Sequence, residues 1–268
     1  EYIQRLTNIP FLGSIPAHDK TDRKIVVKKS SRSSTAEMFR LLRTNINYNA
    51  SGEEYKCLLV TSSISGEGKT FITGNLGASF ALSGKKTLLL GLDLRKPKLS
   101  LFSRGEKDER GITNFLVGET EKLEDLIRPI EGVQNLYYVD CGPMPPNPSE
   151  LLMSPKLRTA IEGLKSQFDL IIMDSAPVGL VTDALLLSDL ADQTLVITRF
   201  DYTNKNLLSM QEEIYQQGKM PRMGIVLNGI KKRGGYGYGY GYGYGYGYGY
   251  GYYSDDPPKK SWQFWKRK

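Results

Sequence analysis

Short runs of apolar residues alternate with longer amphipathic stretches through most of the chain. Six of the runs are continuous, as is typical of strands that are buried on both faces: residues 57–61, 87–92, 136–139, 170–173, 194–198 and 224–227. The longer stretches predict helices over residues 70–82, 155–166, 183–190 and 204–217. Strands that alternate with helices predict an α/β fold with a mostly parallel sheet and helices on both of its faces.

A further helix is predicted from Ser34 onward, because Phe39, Leu42 and Ile46 recur at helical spacing on one face. A second face of the same helix carries three charged residues: Glu37, Arg40 and Arg43. A solvated helix face and a contact between subunits both fit these charges.

The two ends of the chain differ from its middle. The N-terminal end has one ordered patch, at residues 9–13, in an otherwise polar segment. Residues 235–252 alternate strictly between glycine and tyrosine, and Tyr253 closes the run. Glycine at every second position leaves little side-chain surface to pack and raises the entropy cost of ordering the backbone, so we expect disorder there. The predicted organisation is a linker over 1–33, one domain over 34–233 and a disordered tail over 234–268.

The amino-acid composition limits the binding partners and the cellular compartment that we expect for the chain. The chain has 268 residues and a net charge of +7, with Lys and Arg crowded near both ends. No apolar run approaches the ~20 residues that span a bilayer. One histidine and two cysteines without metal-ligand spacing argue against zinc and favour a reducing compartment. The basic ends, the second of which includes Trp262, Phe264 and Trp265, suit nucleic acid, an anionic membrane surface or solvent alone.

The segment from Ser63 to Thr70 is a phosphate loop between a predicted strand and a predicted helix. Its glycines let backbone N–H groups surround phosphate oxygens, and the helix N-terminus adds a positive dipole end. We expect Lys69 to contact the β- and γ-phosphates and the Thr70 hydroxyl to bind Mg²⁺. Ser63 stands where the consensus has its first glycine. The residues predicted to bind nucleotide in and directly after this segment are Ser65, Gly66, Glu67, Gly68, Lys69, Thr70 and Phe71.

Two aspartates follow directly after apolar strands. They are Asp93 and Asp174, and either one alone also suits a helix N-cap. The carboxyl ends of parallel strands line the ligand crevice of an open sheet, and Mg²⁺ prefers oxygen ligands. We therefore predict a magnesium–nucleotide site with Thr70, Asp93 and Asp174 at the metal, and with Lys69, Asp93 and Asp174 as the catalytic residues.

The Gly–Tyr tail offers phenol groups that can accept a phosphoryl group. A Gly-rich coil of its length has an r.m.s. reach of roughly 25–30 Å, which is enough to reach the site of a neighbouring subunit. Such repeats also suit a self-associating or nucleic-acid-stacking tail, but the upstream nucleotide site favours the acceptor interpretation. The predicted phosphoacceptors are Tyr236, Tyr238, Tyr240, Tyr242, Tyr244, Tyr246, Tyr248, Tyr250, Tyr252 and Tyr253.

Together these motifs resemble the cytoplasmic domain of the bacterial tyrosine kinases (BY-kinases) that accompany capsular and exopolysaccharide export. The resemblance covers nearly the whole chain and rests on the phosphate loop, the strand ends at Asp93 and Asp174, and the tyrosine cluster. Residues 142–148 also resemble the proline-rich loop of the family, and the spacing of Glu37, Arg40 and Arg43 matches its subunit-contact motif.

The resemblance implies ATP as the donor, Mg²⁺ as the metal and autophosphorylation in trans on the tail, within a ring-shaped homo-oligomer. It implies that Asn228 lies near the adenine. It also implies a location at the cytoplasmic face of the bacterial inner membrane, with a membrane part outside this sequence. The implied partners are the inner-membrane polysaccharide assembly machinery and a cognate phosphotyrosine phosphatase, with no nucleic acid.

Two positions depart from the family pattern, and two other functions stay open. Gly91 stands where the first acid of an Asp-x-Asp motif is usual, and Ser65 stands where proline is usual. A switch-type ATPase of the partitioning and division-site class shares the fold, but its extra lysine near the start of the phosphate loop is missing here. A scaffold whose tail binds partners, with ATP fixing only its shape, is the non-enzymatic alternative.

Overall fold

The computed structural model describes residues 2–18, 25–29, 31, 33–97, 99 and 109–231. The ten predicted phosphoacceptor tyrosines and the basic C-terminal end lie outside these residues. The disorder expected of 234–268 therefore stays a prediction, as does the division of the chain at residues 33 and 233.

Within the described residues, eight strands form a single sheet: β1 (Phe11–Pro16), β2 (Cys57–Ser62), β3 (Thr87–Leu92), β4 (Arg128–Pro129), β5 (Leu136–Val139), β6 (Leu170–Ser175), β7 (Gln193–Arg199) and β8 (Met223–Ile230). Their order across the sheet is β1-β8-β7-β2-β6-β3-β5-β4. Every neighbouring pair is parallel except β4 with β5. The mostly parallel sheet and all six predicted strands are confirmed.

The part of the chain that the structure describes has eight α-helices around the sheet: α1 (Tyr2–Leu6), α2 (Ser34–Asn49), α3 (Lys69–Ala81), α4 (Ile112–Leu116), α5 (Pro148–Leu152), α6 (Pro155–Leu164), α7 (Asp183–Leu186) and α8 (Lys205–Gln216). The apolar faces of α2 and α3 pack on one side of the sheet, and those of α4 and α6 pack on the other. Helices on both faces are thus confirmed. The helix predicted over 183–190 is wrong in its extent, because α7 ends at Leu186 and a 3₁₀ turn, Ser188–Leu190, follows.

Strand β1 lies in the segment that the sequence predicts to be a linker. It pairs in parallel with β8 at the edge of the sheet, and Ile15 is fully buried. Leu12 and Ile15 are its two buried residues, three positions apart, and the register shifts beside Gly13. The strand therefore lacks the two-residue period from which strands are predicted. Part of the predicted linker belongs to the sheet.

No helix in the described ranges is both long enough and apolar enough to cross a bilayer.

Candidate active site

The phosphate loop joins β2 to α3 at the carboxyl edge of the sheet. Two of its glycines have positive φ angles, 93° at Gly66 and 97° at Gly68. A Cβ atom at Gly68 would overlap the Nδ2 atom of Asn228, so a side chain here would displace the Asn228 amide. The predicted phosphate-binding loop therefore includes two left-handed positions, which only glycine adopts without strain.

Lys69 and Thr70 open α3 beneath this loop. The Lys69 ammonium donates to the Ser62 hydroxyl at 3.1 Å, and the Thr70 hydroxyl donates to Oδ2 of Asp174 at 2.8 Å. Asp174 lies in β6, in register with Val60 of β2. The adjacent strands β2 and β6 thus bring the predicted phosphate-binding lysine, magnesium-binding hydroxyl and carboxylate together.

Burial governs the chemistry of Asp174. It raises the pKa of the carboxyl to about 6, against the opposing charge of Lys69, and the nearby Asp93 raises it further. The Oδ1 atom is buried and has no hydrogen-bond partner among the described residues. A buried carboxylate oxygen with an unused lone pair, beside a hydroxyl and a lysine, fits a magnesium–phosphate group. Thr70 and Asp174 would hold the metal, which would neutralise phosphate charge.

Asp93 follows β3 and is only partly buried. Its Oδ1 atom accepts from the backbone N–H of Lys96 at 3.0 Å, which fixes the carboxylate at the start of the next turn. The charge of Asp93 raises the pKa of Asp174, but Asp93 shares no hydrogen bond with Asp174 or Thr70. Among the described residues, no three His, Cys, Asp or Glu side chains cluster closely enough to hold a metal by themselves.

Gly91, where the family pattern has an acid, lies in register with Asp174. A Cβ atom there would be 3.0 Å from the backbone nitrogen of Cys141 and 3.2 Å from Cδ1 of Leu99. The space that the acid would need is filled by the chain that follows β5 and by Leu99. The site is therefore packed around a glycine.

The end of β7 and the loop that follows it hold the phosphate loop through contacts that the sequence does not predict. The Arg199 guanidinium donates to the Gly66 carbonyl at 2.8 Å, and the Tyr202 hydroxyl donates to the Ser65 carbonyl at 2.9 Å. The guanidinium also lies over the Tyr202 ring, 5.2 Å from its centre. These contacts hold the backbone at Ser65, where the family usually has a stiffer proline.

Glu67 binds protein groups through its side chain. Its carboxylate accepts from the Ile64 N–H at 2.8 Å and from the Thr203 hydroxyl, and its carbonyl accepts from the Asn228 amide at 2.9 Å. Burial raises the pKa of Glu67. Only the backbone of Glu67 is thus available to a nucleotide, and Asn228 contacts the phosphate loop itself.

Ser63 of the loop and Phe71 of α3 both use their side chains for contacts within the protein. Ser63, at the position of the consensus glycine, is fully buried, and its hydroxyl accepts from the Gln211 amide of α8. The Phe71 ring stacks against His18 and meets the edge of Phe39 from α2. The Phe71 side chain therefore packs between elements, and any contact of Phe71 with nucleotide falls to its backbone.

A charged cluster supports the strand end that carries Asp93. The Arg95 guanidinium donates to both oxygens of the fully buried Asp183, at 2.8 and 3.1 Å, and to the Ser149 hydroxyl at 2.9 Å. The hydrogen bonds to Asp183 raise the pKa of Arg95. The cluster ties the loop after β3 to α5 and α7, so Arg95 positions this part of the site.

Of the three charged residues of α2, Arg43 contacts α3, whereas Glu37 and Arg40 pair with each other. The Arg43 guanidinium donates to the Ser79 carbonyl. Their predicted contact with a neighbouring subunit stays a prediction.

Comparison with known proteins agrees with this geometry. A model of the CobQ/CobB/MinD/ParA nucleotide binding domain matches residues 58–234. The chain is 35% identical over 198 residues to the tyrosine-protein kinase CpsD of Streptococcus agalactiae serotype III (strain NEM316), an alignment that covers 74% of this chain and 84% of CpsD. It is 31% identical over 212 residues to the tyrosine-protein kinase YwqD of Bacillus subtilis (strain 168), covering 79% of this chain and 88% of YwqD.

Among solved structures, the kinase domain of the Escherichia coli tyrosine kinase ETK has a TM-score of 0.78 and 27% identity, and the alignment covers 90% of this chain and 98% of that domain. The prediction of a P-loop NTPase-like fold is confirmed, and so is the predicted family. The phosphate loop, the strand-end aspartates and these relatives together establish that the chain belongs to the bacterial tyrosine kinases, whose catalytic domain is built on the CobQ/CobB/MinD/ParA nucleotide-binding fold.

Proposed function

We propose that this chain is an ATP-dependent protein-tyrosine autokinase that phosphorylates the tyrosine cluster of a neighbouring copy. The observation that carries the proposal is the hydrogen bond between Thr70 and Asp174 beside Lys69, in a chain that carries ten tyrosines between Tyr236 and Tyr253. A magnesium–nucleotide site supplies the phosphoryl group, and the phenols of the tail accept it. The relatives named as tyrosine-protein kinases support the same reaction.

In this reaction the site mainly positions and neutralises charge, because phosphoryl transfer asks little covalent chemistry of the protein. Lys69 and the backbone N–H groups of the loop hold the phosphates in line with the incoming phenol. A bond forms between the tyrosine oxygen and the γ-phosphorus as the bond to the leaving ADP oxygen breaks. The phenol proton leaves to Asp93 or to water, since a loose transition state does not require a strong base.

The wider setting follows from the family resemblance and belongs to the same proposal. The chain acts as a homo-oligomeric ring, with Glu37, Arg40 and Arg43 at the subunit contact, at the cytoplasmic face of the inner membrane. Its phosphorylation state regulates the machinery that assembles capsular or exopolysaccharide, and a phosphotyrosine phosphatase reverses it.

Incubation of the full chain with Mg-ATP, followed by an anti-phosphotyrosine blot, tests the proposal. Wild type gives a signal, Lys69→Met gives none because the phosphates lose their lysine, and Lys219→Met, which removes an exposed lysine, matches wild type. A tagged Lys69→Met chain mixed with wild type becomes phosphorylated if the transfer occurs in trans. No wild-type signal, or an equal signal from Lys69→Met, refutes the kinase, and phosphate release without phosphotyrosine indicates a switch-type ATPase instead.

A further inference from the structure

A half-open cavity of about 200 Å³ lies between α2, α3 and the segment that precedes α2. Three of the described residues that line it are basic, namely Lys29, Arg40 and Arg43, and two hydroxyl groups, those of Ser79 and Ser83, lie beside them. A water molecule occupies ~30 Å³ of the liquid, so the cavity has room for several waters or for a phosphate group. It is separate from the phosphate loop.

Positive charge outweighs negative charge at this cavity. Arg40 pairs with Glu37 and also donates to the Ser31 carbonyl at 3.0 Å. Arg43 donates to a carbonyl, that of Ser79, and forms no ion pair with any carboxylate among the described residues. Burial and the neighbouring charge of Arg40 lower the pKa of Arg43. With Lys29 exposed at the rim, three cations face one carboxylate, an arrangement that a dianion would neutralise.

We propose that this cavity binds the phosphate of a phosphotyrosine from the Gly–Tyr tail. The inference rests on the proposed function, because tyrosine phosphorylation creates the ligand. Residues 234–253 contain no charged side chain, and each phosphorylation adds about −1.5 to −2 charges. Guanidinium groups recognise phosphate oxygens through paired, charge-assisted hydrogen bonds. The tail thus gains its affinity for the cavity only when it is phosphorylated.

Binding of the phosphate affects the predicted contact of α2 with a neighbouring subunit. Arg40 and Arg43 are predicted to contact a neighbouring subunit, and a phosphate in the cavity engages the same guanidinium groups. The tail and the neighbour therefore compete for these two residues. Phosphorylation of the tail thus changes which partner Arg40 and Arg43 bind on the folded domain.

A binding measurement with the full chain, free of nucleotide, tests the cavity. The probe is a fluorescent peptide of residues 244–253 phosphorylated on Tyr252, with the unphosphorylated peptide as its control, and the readout is fluorescence anisotropy. We expect the phosphopeptide to bind at least about tenfold more tightly than the control, since hydrogen bonds to charged groups are the strong ones. Excess inorganic phosphate displaces it.

Matched variants locate the binding. Arg43→Gln weakens it by about tenfold, and Lys29→Gln, an exposed residue whose loss leaves the fold intact, weakens it severalfold. Arg158→Gln removes the same charge from α6 and leaves the affinity unchanged. Weakening in either cavity variant, with Arg158→Gln unaffected, supports the inference. Equal affinity of the two peptides, or unchanged affinity in both cavity variants, overturns it.

The peptide is synthetic, so its binding requires no phosphoryl transfer by the chain. A chain that binds the phosphopeptide but forms no phosphotyrosine refutes the proposed function alone. A chain that forms phosphotyrosine but does not bind the peptide refutes this inference alone.

Discussion

At the scale of single residues, the buried carboxyl group of Asp174 lowers the stability of the folded protein at neutral pH. Its carboxyl has a pKa of about 6 in the folded protein, against 3.8 for an aspartate exposed to water. A carboxyl with a raised folded pKa favours folding when it is protonated, below about pH 4. That contribution is lost as the pH rises through about 6, because the folded protein must then hold a buried charge. In the metal-free protein at neutral pH, Asp174 is therefore destabilising.

We expect Asp174→Asn to stabilise the protein in the absence of Mg²⁺ and nucleotide. A pKa rise of this size corresponds to about 2–3 kcal/mol at pH 8, since one pKa unit is about 1.4 kcal/mol. The gain shrinks as the pH falls from about 6 to about 4. Urea unfolding at pH 4.5, 6 and 8 measures it. Asp189→Asn, on an exposed carboxylate, serves as the control. A gain in stability that does not vary with pH would contradict the assignment to burial.

Gly68 and Gly84 form a matched pair for the phosphate loop. Their φ angles are 97° and 99°, so alanine strains the backbone at both, by roughly 1–2 kcal/mol. Only at Gly68 does the added Cβ overlap Asn228, whereas at Gly84 nothing lies within 4 Å of it. We expect Gly68→Ala to weaken Mg-ADP binding at least about tenfold and Gly84→Ala to leave it unchanged, as measured by calorimetry. Equal effects would show that strain alone is responsible.

At the scale of elements, sequence patterns predict strands, loops and helices that are contiguous in the chain. They do not predict contacts between residues that are far apart in the sequence. Strand β2, the phosphate loop and α3 are contiguous, and their apolar run, glycines and helical period are all visible in the sequence. The contacts of Arg199 and Tyr202 with this loop join residues more than a hundred positions apart, and no local pattern marks them. Strand β1 was missed for the same reason, because its place in the sheet depends on β8.

Strand β1 contributes to stability if its pairing is as described. Ile15 is fully buried there, so Ile15→Ala removes buried apolar surface and leaves a cavity, at a cost of about 2–5 kcal/mol. Leu6→Ala, on a residue that is 41% exposed, costs less than about 1 kcal/mol. The free energy of unfolding in urea measures both. If Ile15→Ala costs no more than Leu6→Ala, residues 11–16 act as a linker after all.

At the scale of the whole molecule, the nucleotide site and the basic cavity lie on different parts of one domain. The first is at the carboxyl ends of the central strands, and the second is between α2 and α3. The Gly–Tyr run that the sequence predicts to connect them, residues 235–253, carries ten acceptors and no charge of its own before phosphorylation. Under the two proposals, the product of the first site is a ligand for the second.

This connection predicts that phosphorylation shifts the protein from oligomer toward monomer. Several phosphotyrosines per tail repel one another across a ring, and each competes for the α2 arginines that are proposed to hold the next subunit. Light scattering before and after incubation with Mg-ATP should show a fall in molar mass for wild type and none for Lys69→Met. Phosphatase treatment should restore the original mass, because the covalent chain is otherwise unchanged. An unchanged molar mass in fully phosphorylated protein would show that tail phosphorylation does not control oligomer assembly.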